Sequence, residues 1–212
     1  MASSSGRDNQ ADLFSVPEAL AIDTSFATAN RRNLDGTSWL EVVPGWLTGS
    51  TDLFEALRRE VPWKQHHRRM FEQIFLEPRL TASYRSIHDA PHPAIIEAAQ
   101  ALSDHYGVKY DSLWMNLYRT EEDSTGWHRD RFSCRRPLCI VPVLSLGATR
   151  RFQIKPRSGG TSVNVNPRSG DLVVMGGRSQ EDWVHGVPKS DAACGARISV
   201  NFQSAEQAHR PS

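Results

Sequence analysis

Gly126-Trp127-His128-Arg129-Asp130 sets an imidazole and a carboxylate two positions apart. Residues i and i+2 of a β-strand point to the same face, so a strand through this stretch turns His128 and Asp130 inward together. Such a pair needs a third donor to hold a transition metal, and His185, in the run Trp183-Val184-His185-Gly186-Val187-Pro188-Lys189, is the natural candidate. Two imidazoles and one carboxylate on one side of an ion form the facial arrangement that binds non-haem Fe(II), leaving the other side open for a co-substrate and dioxygen. A chain with eight His meets an HxD readily by accident, so the weight lies in order and context. A Tyr-containing strand precedes the pair, apolar strand-rich sequence follows it, and Arg197 opens the alternating run Arg197-Ile198-Ser199-Val200-Asn201-Phe202.

The flanking sequence has the texture to bring these donors together. After Gly107, short β-rich runs are separated by Gly, Pro, Asn and Ser: Leu113 to Tyr118, Leu138 to Leu144, Arg151 to Ile154, Ser162 to Val165, Leu172 to Met175 and Ile198 to Phe202. Before Gly107 the pattern is helical. Asp52 with Glu55 reads as a capping box, with Leu53, Phe54, Leu57 and Val61 on one face before Pro62 stops the run. Ile95, Ile96, Ala99 and Leu102 mark a second helix from Pro93 to His105, with Gly107 beyond its end. Trp39 to Val43 is a further strand, ended by Pro44-Gly45. Helices followed by closely spaced strands predict an α+β fold with an all-β core. A jelly roll, whose two sheets enclose a pocket, is the closed form that joins His128 to His185.

The 212 residues suit one domain. We expect a disordered tail over residues 1–12, a domain over 13–205 and a tail over 206–212; within the domain, 13–106 form an extension carrying the helices and a substrate lid, and 107–205 form the core. Lys plus Arg (25) nearly balances Asp plus Glu (24), which excludes a global positive field, so any polyanion contact is local. Three cysteines, Cys134, Cys139 and Cys194, are odd in number and form no CxxC, arguing against a disulfide framework or structural zinc and for a reducing cytoplasm. No apolar run is long enough to span a bilayer and no signal layout is present, so a soluble cytoplasmic monomer is expected. One local cationic cluster stands out: Lys64, His66, His67, Arg68 and Arg69, with Trp63 and Tyr84 nearby. It reads either as a solvated charge run or as a phosphate-contacting lip with aromatic residues beside it.

Taken together, Asn116-Leu117-Tyr118, Asp123 and His128-Arg129-Asp130 resemble the NxY…HxD signature of the AlkB family of Fe(II)- and 2-oxoglutarate-dependent dioxygenases. Later blocks follow in the family's order: Ser145-Leu146-Gly147-Ala148, Arg150-Arg151-Phe152, Gly170 to Gly177, His185 to Lys189 and Arg197 to Phe202. The resemblance runs from about Trp63 to Gln203 and is strongest to bacterial members. It implies a double-stranded β-helix, a jelly-roll form, with iron on His128, Asp130 and His185. It further implies 2-oxoglutarate held by Asn116, Tyr118, Arg197, Ser199 and Gln203, with dioxygen as the remaining reactant. The guanidinium of Arg197 suits the distal carboxylate, since its fork matches two oxygens. The implied reaction is oxidative demethylation of alkylated single- or double-stranded DNA, or RNA, in which 2-oxoglutarate is decarboxylated to succinate and formaldehyde leaves. Trp63, Arg79, Tyr84 and Arg131 fall where substrate contacts are expected.

The chain departs from the family pattern at identifiable places. Gln203 stands where the motif has a second arginine, bringing hydrogen bonds but no charge. Glu121 replaces a glycine after NxY, and Phe132 replaces an acidic residue after the metal Asp. Tyr84 is followed by Arg85-Ser86 in place of glycine. These departures leave two alternatives beside DNA repair: the same oxygenase chemistry on RNA, a protein or a small molecule, or a binding module with weakened cosubstrate affinity.

Overall fold

Alternating apolar and polar residues build two antiparallel sheets that face one another. The computed structural model describes residues 18–70, 73–130 and 134–208. The expected tail over 1–12 lies outside these residues, as do Arg131 and Phe132. In chain order the elements are β1 (Ala21–Ile22), β2 (Asn30–Asn33), β3 (Ser38–Val43), β4 (Leu47–Thr48), α1 (Ser50–Glu60), β5 (His67–Met70), β6 (Gln73–Leu76), β7 (Leu80–Tyr84) and α2 (Pro93–Tyr106). Then come β8 (Ser112–Tyr118), β9 (Thr125–His128), β10 (Cys139–Gly147), β11 (Phe152–Pro156), β12 (Val163–Val165), β13 (Leu172–Gly177), α3 (Ser179–Asp182), β14 (Trp183–Val187), β15 (Arg197–Gln203) and α4 (Ala205–Ala208). A seven-stranded sheet has the order β2-β3-β13-β10-β15-β8-β7, and a four-stranded sheet the order β12-β11-β14-β9. This is the jelly-roll core expected from the sequence.

The outer face of the larger sheet is apolar. Leu113, Met115 and Leu117 of β8 lie opposite Phe202, Val200 and Ile198 of β15, and Leu144 of β10 lies opposite both Val200 and Leu172. Helices α1 and α2 cover this face with Leu53, Leu57, Ile95 and Leu102, all buried. Helix α1 begins at Ser50, ahead of the expected Asp52–Glu55 box, and makes no side-chain cap. Gly49 turns the chain into the helix at φ 62, where a Cβ would meet the Leu20 backbone at 2.6 Å. Helix α2 matches expectation closely: the His92 imidazole accepts the Ala94 N–H at 3.1 Å, Pro93 opens the helix, and Gly107 closes it at φ 65. Between the two sheets a second core joins Leu40, Val141, Val143, Val173 and Met175 to Phe152, Ile154, Trp183 and Val187.

Three expectations need correction. The division at 106/107 is not a boundary in the fold, because β2, β3 and β7 belong to the same sheet as the later strands. The run from residue 206 is not simply a tail: α4 docks on β10, where Gln207 accepts the Ile140 N–H at 2.6 Å and donates to its carbonyl at 2.9 Å. Cys134 and Cys139 form a disulfide, with Cα atoms 6.0 Å apart, leaving Cys194 free. Counting cysteines missed it because one local bridge needs neither an even total nor a CxxC. Among the described residues no helix is long and apolar enough to cross a membrane.

Candidate metal and cosubstrate site

Strand pairing brings the donors together. His128 ends β9 directly opposite His185 of β14, and the register shifts before the next pair, Thr125 with Val187. Gly186 permits this close approach, since a Cβ there would stand 2.8 Å from the Thr125 carbonyl oxygen. The two imidazole centres are 4.3 Å apart. The strand expected through Asp130 stops at His128, so Asp130 reaches the site by its loop. Its backbone N–H donates to Gln180 Oε1 at 2.7 Å. Its carboxylate then spans both rings, with Oδ1 3.5 Å from His128 Nε2 and Oδ2 3.4 Å from His185 Nε2. The three ligand atoms lie within 4.8 Å of one another, a cluster able to take one metal ion.

The electrostatics follow from burial and charge. Burial would raise Asp130, but the two imidazoles outweigh it and hold the carboxylate far below its ordinary range. Burial lowers His185, while at His128 the Asp130 carboxylate overrides burial and raises the ring. His128 Nδ1 is 2.9 Å from the Gly126 carbonyl, which can only accept. That assigns the proton to Nδ1 in the neutral ring and leaves Nε2 as the lone-pair ligand.

A buried cation on β15 is linked to strand β9 through Tyr118. Arg197 is 2% exposed, and its Nη2 donates to Ser145 Oγ at 2.8 Å. Its Nε and Nη1 are buried without a hydrogen-bond partner among the described residues. The guanidinium carbon sits 5.5 Å from the centre of the Tyr118 ring, and the Tyr118 hydroxyl shares a 2.9 Å hydrogen bond with Thr125 Oγ1. An arginine left with two idle donors is costly unless a bound carboxylate satisfies them. Asn116 stands next along the same face, donating to Ser199 Oγ at 3.0 Å and accepting from Trp114 Nε1 at 3.0 Å and Arg79 Nε at 2.9 Å.

The structure therefore gathers His128, Asp130, His185, Asn116, Tyr118, Arg197 and Ser199. Arg79, expected at the substrate, bonds the Asn116 side chain and lies 3.4 Å from Glu77. Gln203 shares the face of Arg197 but stands six residues along β15, about 20 Å away at strand spacing. Trp63 and Tyr84 are not in this group: both pack against the helix-covered core, and burial raises the Tyr84 hydroxyl. Their place beside basic residues allowed a phosphate-contacting lip, but register places Tyr84 opposite Leu113, on the apolar face. Sequence reasoning missed Gln180 and gave no role to Ser145 or Arg150, all three buried polar residues that lie outside the apolar runs used to place the strands. The exposed large hydrophobic residues among those described are Ile74, Phe75 and Leu76 of β6, Leu138, and Trp127, whose ring lies 4.3 Å from Lys155 Nζ.

Residues 40–203 match the model of the 2OG-Fe(II) oxygenase superfamily. The chain is 30% identical to alpha-ketoglutarate-dependent dioxygenase alkB homolog 3 of Bos taurus, over 93% of this chain and 77% of that protein. It is 27% identical to DNA oxidative demethylase ALKBH2 of Arabidopsis thaliana, over 73% of this chain and 62% of that one. In fold it is similar to the solved structure of OsALKBH1, with a TM-score of 0.57 and 14% identity, covering 82% of this chain and 100% of that one.

Proposed function

The chain belongs to the 2OG-Fe(II) oxygenase superfamily and within it to the AlkB family, and on that premise we propose that it oxidatively demethylates alkylated nucleobases in DNA at an iron held by His128, Asp130 and His185. The enzyme is a 2-oxoglutarate-dependent dioxygenase that uses an Fe(II) cofactor with 2-oxoglutarate and dioxygen as co-substrates. Bound together, these would supply the hydroxylation of an N-alkyl carbon, with 2-oxoglutarate losing CO2 to become succinate, one oxygen atom of dioxygen entering succinate and the other the alkyl carbon, and the hydroxyalkyl product shedding formaldehyde. The observations that carry the site assignment are the three converging ligand atoms and the buried Arg197, whose Nε and Nη1 have no hydrogen-bond partner among the described residues. A buried guanidinium with unmet donors would suit the distal carboxylate of 2-oxoglutarate, and His128, Asp130 and His185 would hold the iron.

The chain's own groups have separable tasks. His128 keeps its proton on Nδ1, through the Gly126 carbonyl, so that Nε2 faces the metal position. Gln180 holds the Asp130 backbone, and Ser145 orients Arg197. Ile154 and Phe152 line the inter-sheet core beside His185 and keep water from it. DNA as the substrate is supported by the names of the relatives and by the hairpin β5–β6. Its second strand exposes Ile74, Phe75 and Leu76, while the sequence of the first is His67-Arg68-Arg69-Met70. Cations with stackable apolar groups are what single-stranded nucleic-acid sites combine. Single strands are the favoured form of the substrate, because extruding a base from a duplex costs a few kcal/mol.

The test is formaldehyde release from methylated single-stranded DNA in the presence of Fe(II) and 2-oxoglutarate. Release is expected, and replacing His128→Ala is expected to abolish it. Full activity in that variant removes the iron assignment. Activity on methylated RNA alone reassigns the substrate.

A further inference from the structure

The mechanism above uses Arg197 and leaves a second buried guanidinium unexplained. Arg150, 2% exposed, lies in the turn between β10 and β11. Its Nη1 donates to the Thr120 carbonyl at 2.8 Å, and its Nη2 lies 2.8 Å from the Asp123 carbonyl, 2.9 Å from that of Pro188 and 3.5 Å from that of Glu121. All four acceptors are neutral. The nearby Asp123 carboxylate is taken up by Arg119, which grips it in two bonds at 2.7 and 2.9 Å. Thus Arg150 hydrogen-bonds only to carbonyl dipoles and forms no direct ion pair among the described residues. The Asp123 carboxylate, which Arg150 helps to hold in its charged form, offsets its charge only in part because Arg119 shares it.

Tyr118 connects this charge to the cosubstrate site. The Arg150 guanidinium carbon lies 5.8 Å from the centre of the Tyr118 ring, and that of Arg197 lies 5.5 Å from the same ring. Two like charges in one low-dielectric region repel, and such an arrangement costs stability unless a ligand of opposite charge repays it. A tie between the β8–β9 turn and the end of β14 needs donors only, which an uncharged side chain could also supply. The surplus is charge.

Resting on the reading that Arg197 takes the distal carboxylate of 2-oxoglutarate, we infer that Arg150 is a specificity-determining residue for that cosubstrate. Without touching it, Arg150 raises the positive potential of the pocket and so favours a keto-acid bearing a second carboxylate over one that lacks it.

The test compares two ligands on the full chain loaded with Mn(II), by calorimetry. One is 2-oxoglutarate; the other is 2-oxopentanoate, which keeps the chelating end and lacks the distal carboxylate. Arg150→Gln is expected to weaken 2-oxoglutarate roughly tenfold, the effect of one charge about 10 Å away at an effective dielectric near 20, and to leave 2-oxopentanoate within about twofold. Arg150→Lys, which keeps the charge but not the fork, is expected to restore the preference. Equal weakening of both ligands in Arg150→Gln, or of neither, overturns the inference, as does a Lys variant that behaves like the Gln variant. Where Arg150→Gln loses the native circular dichroism, Arg150→Lys decides alone: preference kept supports the inference, preference lost overturns it. Arg197→Gln separates the two levels. If that variant keeps the wild-type preference for the dicarboxylate, the cosubstrate site itself is misassigned and the inference falls with it; if Arg197→Gln loses the preference and Arg150→Gln does not, only the inference falls.

Discussion

The two faces of the seven-stranded sheet are made from alternate residues of the same strands. Although Leu40, Val141, Val143, Val173 and Met175 make part of the inner face apolar, over β8, β15 and the end of β10 the two faces are opposite in character. One face carries Leu113, Met115 and Leu117 against Phe202, Val200 and Ile198, sealed under α1 and α2. The other carries Asn116 and Tyr118 against Ser199 and Arg197, with Ser145 alongside. On the first face, burial of apolar area drives folding at about 25 cal/mol per Å². On the second, buried donors such as Arg197 Nε and Nη1 have no hydrogen-bond partner among the described residues and oppose folding. The apolar face therefore fixes the register that the polar face needs, because a slip of one residue would turn Arg197 into the helix-covered core. Stability and chemistry share one backbone and are separated by the direction of a side chain.

The largest effect should come from the metal cluster facing the polar side. Asp130→Ala is expected to lower Mn(II) affinity beyond the roughly 10–100-fold typical of losing an outer-shell partner, and to abolish demethylation, with the fold intact by circular dichroism. Metal affinity unchanged in this variant would place the ion elsewhere. The next comparison uses neighbours on β10 that point to opposite faces. Leu144→Ala is expected to cost about 2–5 kcal/mol of stability in urea unfolding, while the folded protein keeps its KM for 2-oxoglutarate. Ser145→Ala should do the reverse, costing at most ~1 kcal/mol but raising KM, since Ser145 Oγ orients Arg197. If both variants change both quantities, the two faces are not separable.

That separation explains how much could be read from the chain. The apolar face was legible, because Ile198, Val200 and Phe202 alternate and Ile95, Ala99 and Leu102 recur at helical spacing. The ligands were legible by type and order, and Arg197 by its place at the head of an alternating run. What escaped was polar support set by tertiary distance. Gln180 meets Asp130 across 50 positions, Arg150 meets Pro188 across 38, and neither pairing leaves a periodic trace. Trp63 and Tyr84 misled because an aromatic beside basic residues looks the same whether it faces a ligand or a helix. The Cys134–Cys139 bridge escaped because its geometry depends on how the loop returns to β10.

Gln180 tests whether such polar support matters to the polar face alone. Gln180→Leu removes the acceptor for the Asp130 N–H and is expected to weaken metal binding about tenfold. Gln180→Glu keeps an acceptor oxygen and should recover most of that loss. A Leu variant with full metal affinity would show that the Asp130 loop holds its place unaided.

Asp35 belongs to neither face and gives the smallest effect. It receives the Trp183 indole N–H at 2.7 Å, tying the β2–β3 turn of the larger sheet to the first residue of β14 in the smaller. Partial burial works against its charge, but hydrogen bonds from Trp183, Thr37 and Ser38 prevail and bring its pKa down to about 2. A carboxylate depressed in the folded state adds stability above its unfolded pKa, near 3.8, and the contribution is lost as pH falls through the folded value near 2. Because Asp35 is exposed, solvent screening limits the gain to less than ~1 kcal/mol. Asp35→Asn should therefore be slightly less stable than the parent at pH 5 to 7, with the gap narrowing between about pH 4 and 2. Urea unfolding of both proteins across that range measures it. A gap that stays constant with pH would mean the charge adds nothing, and the joint between the two sheets would then rest on neutral hydrogen bonds and the packing of Trp183.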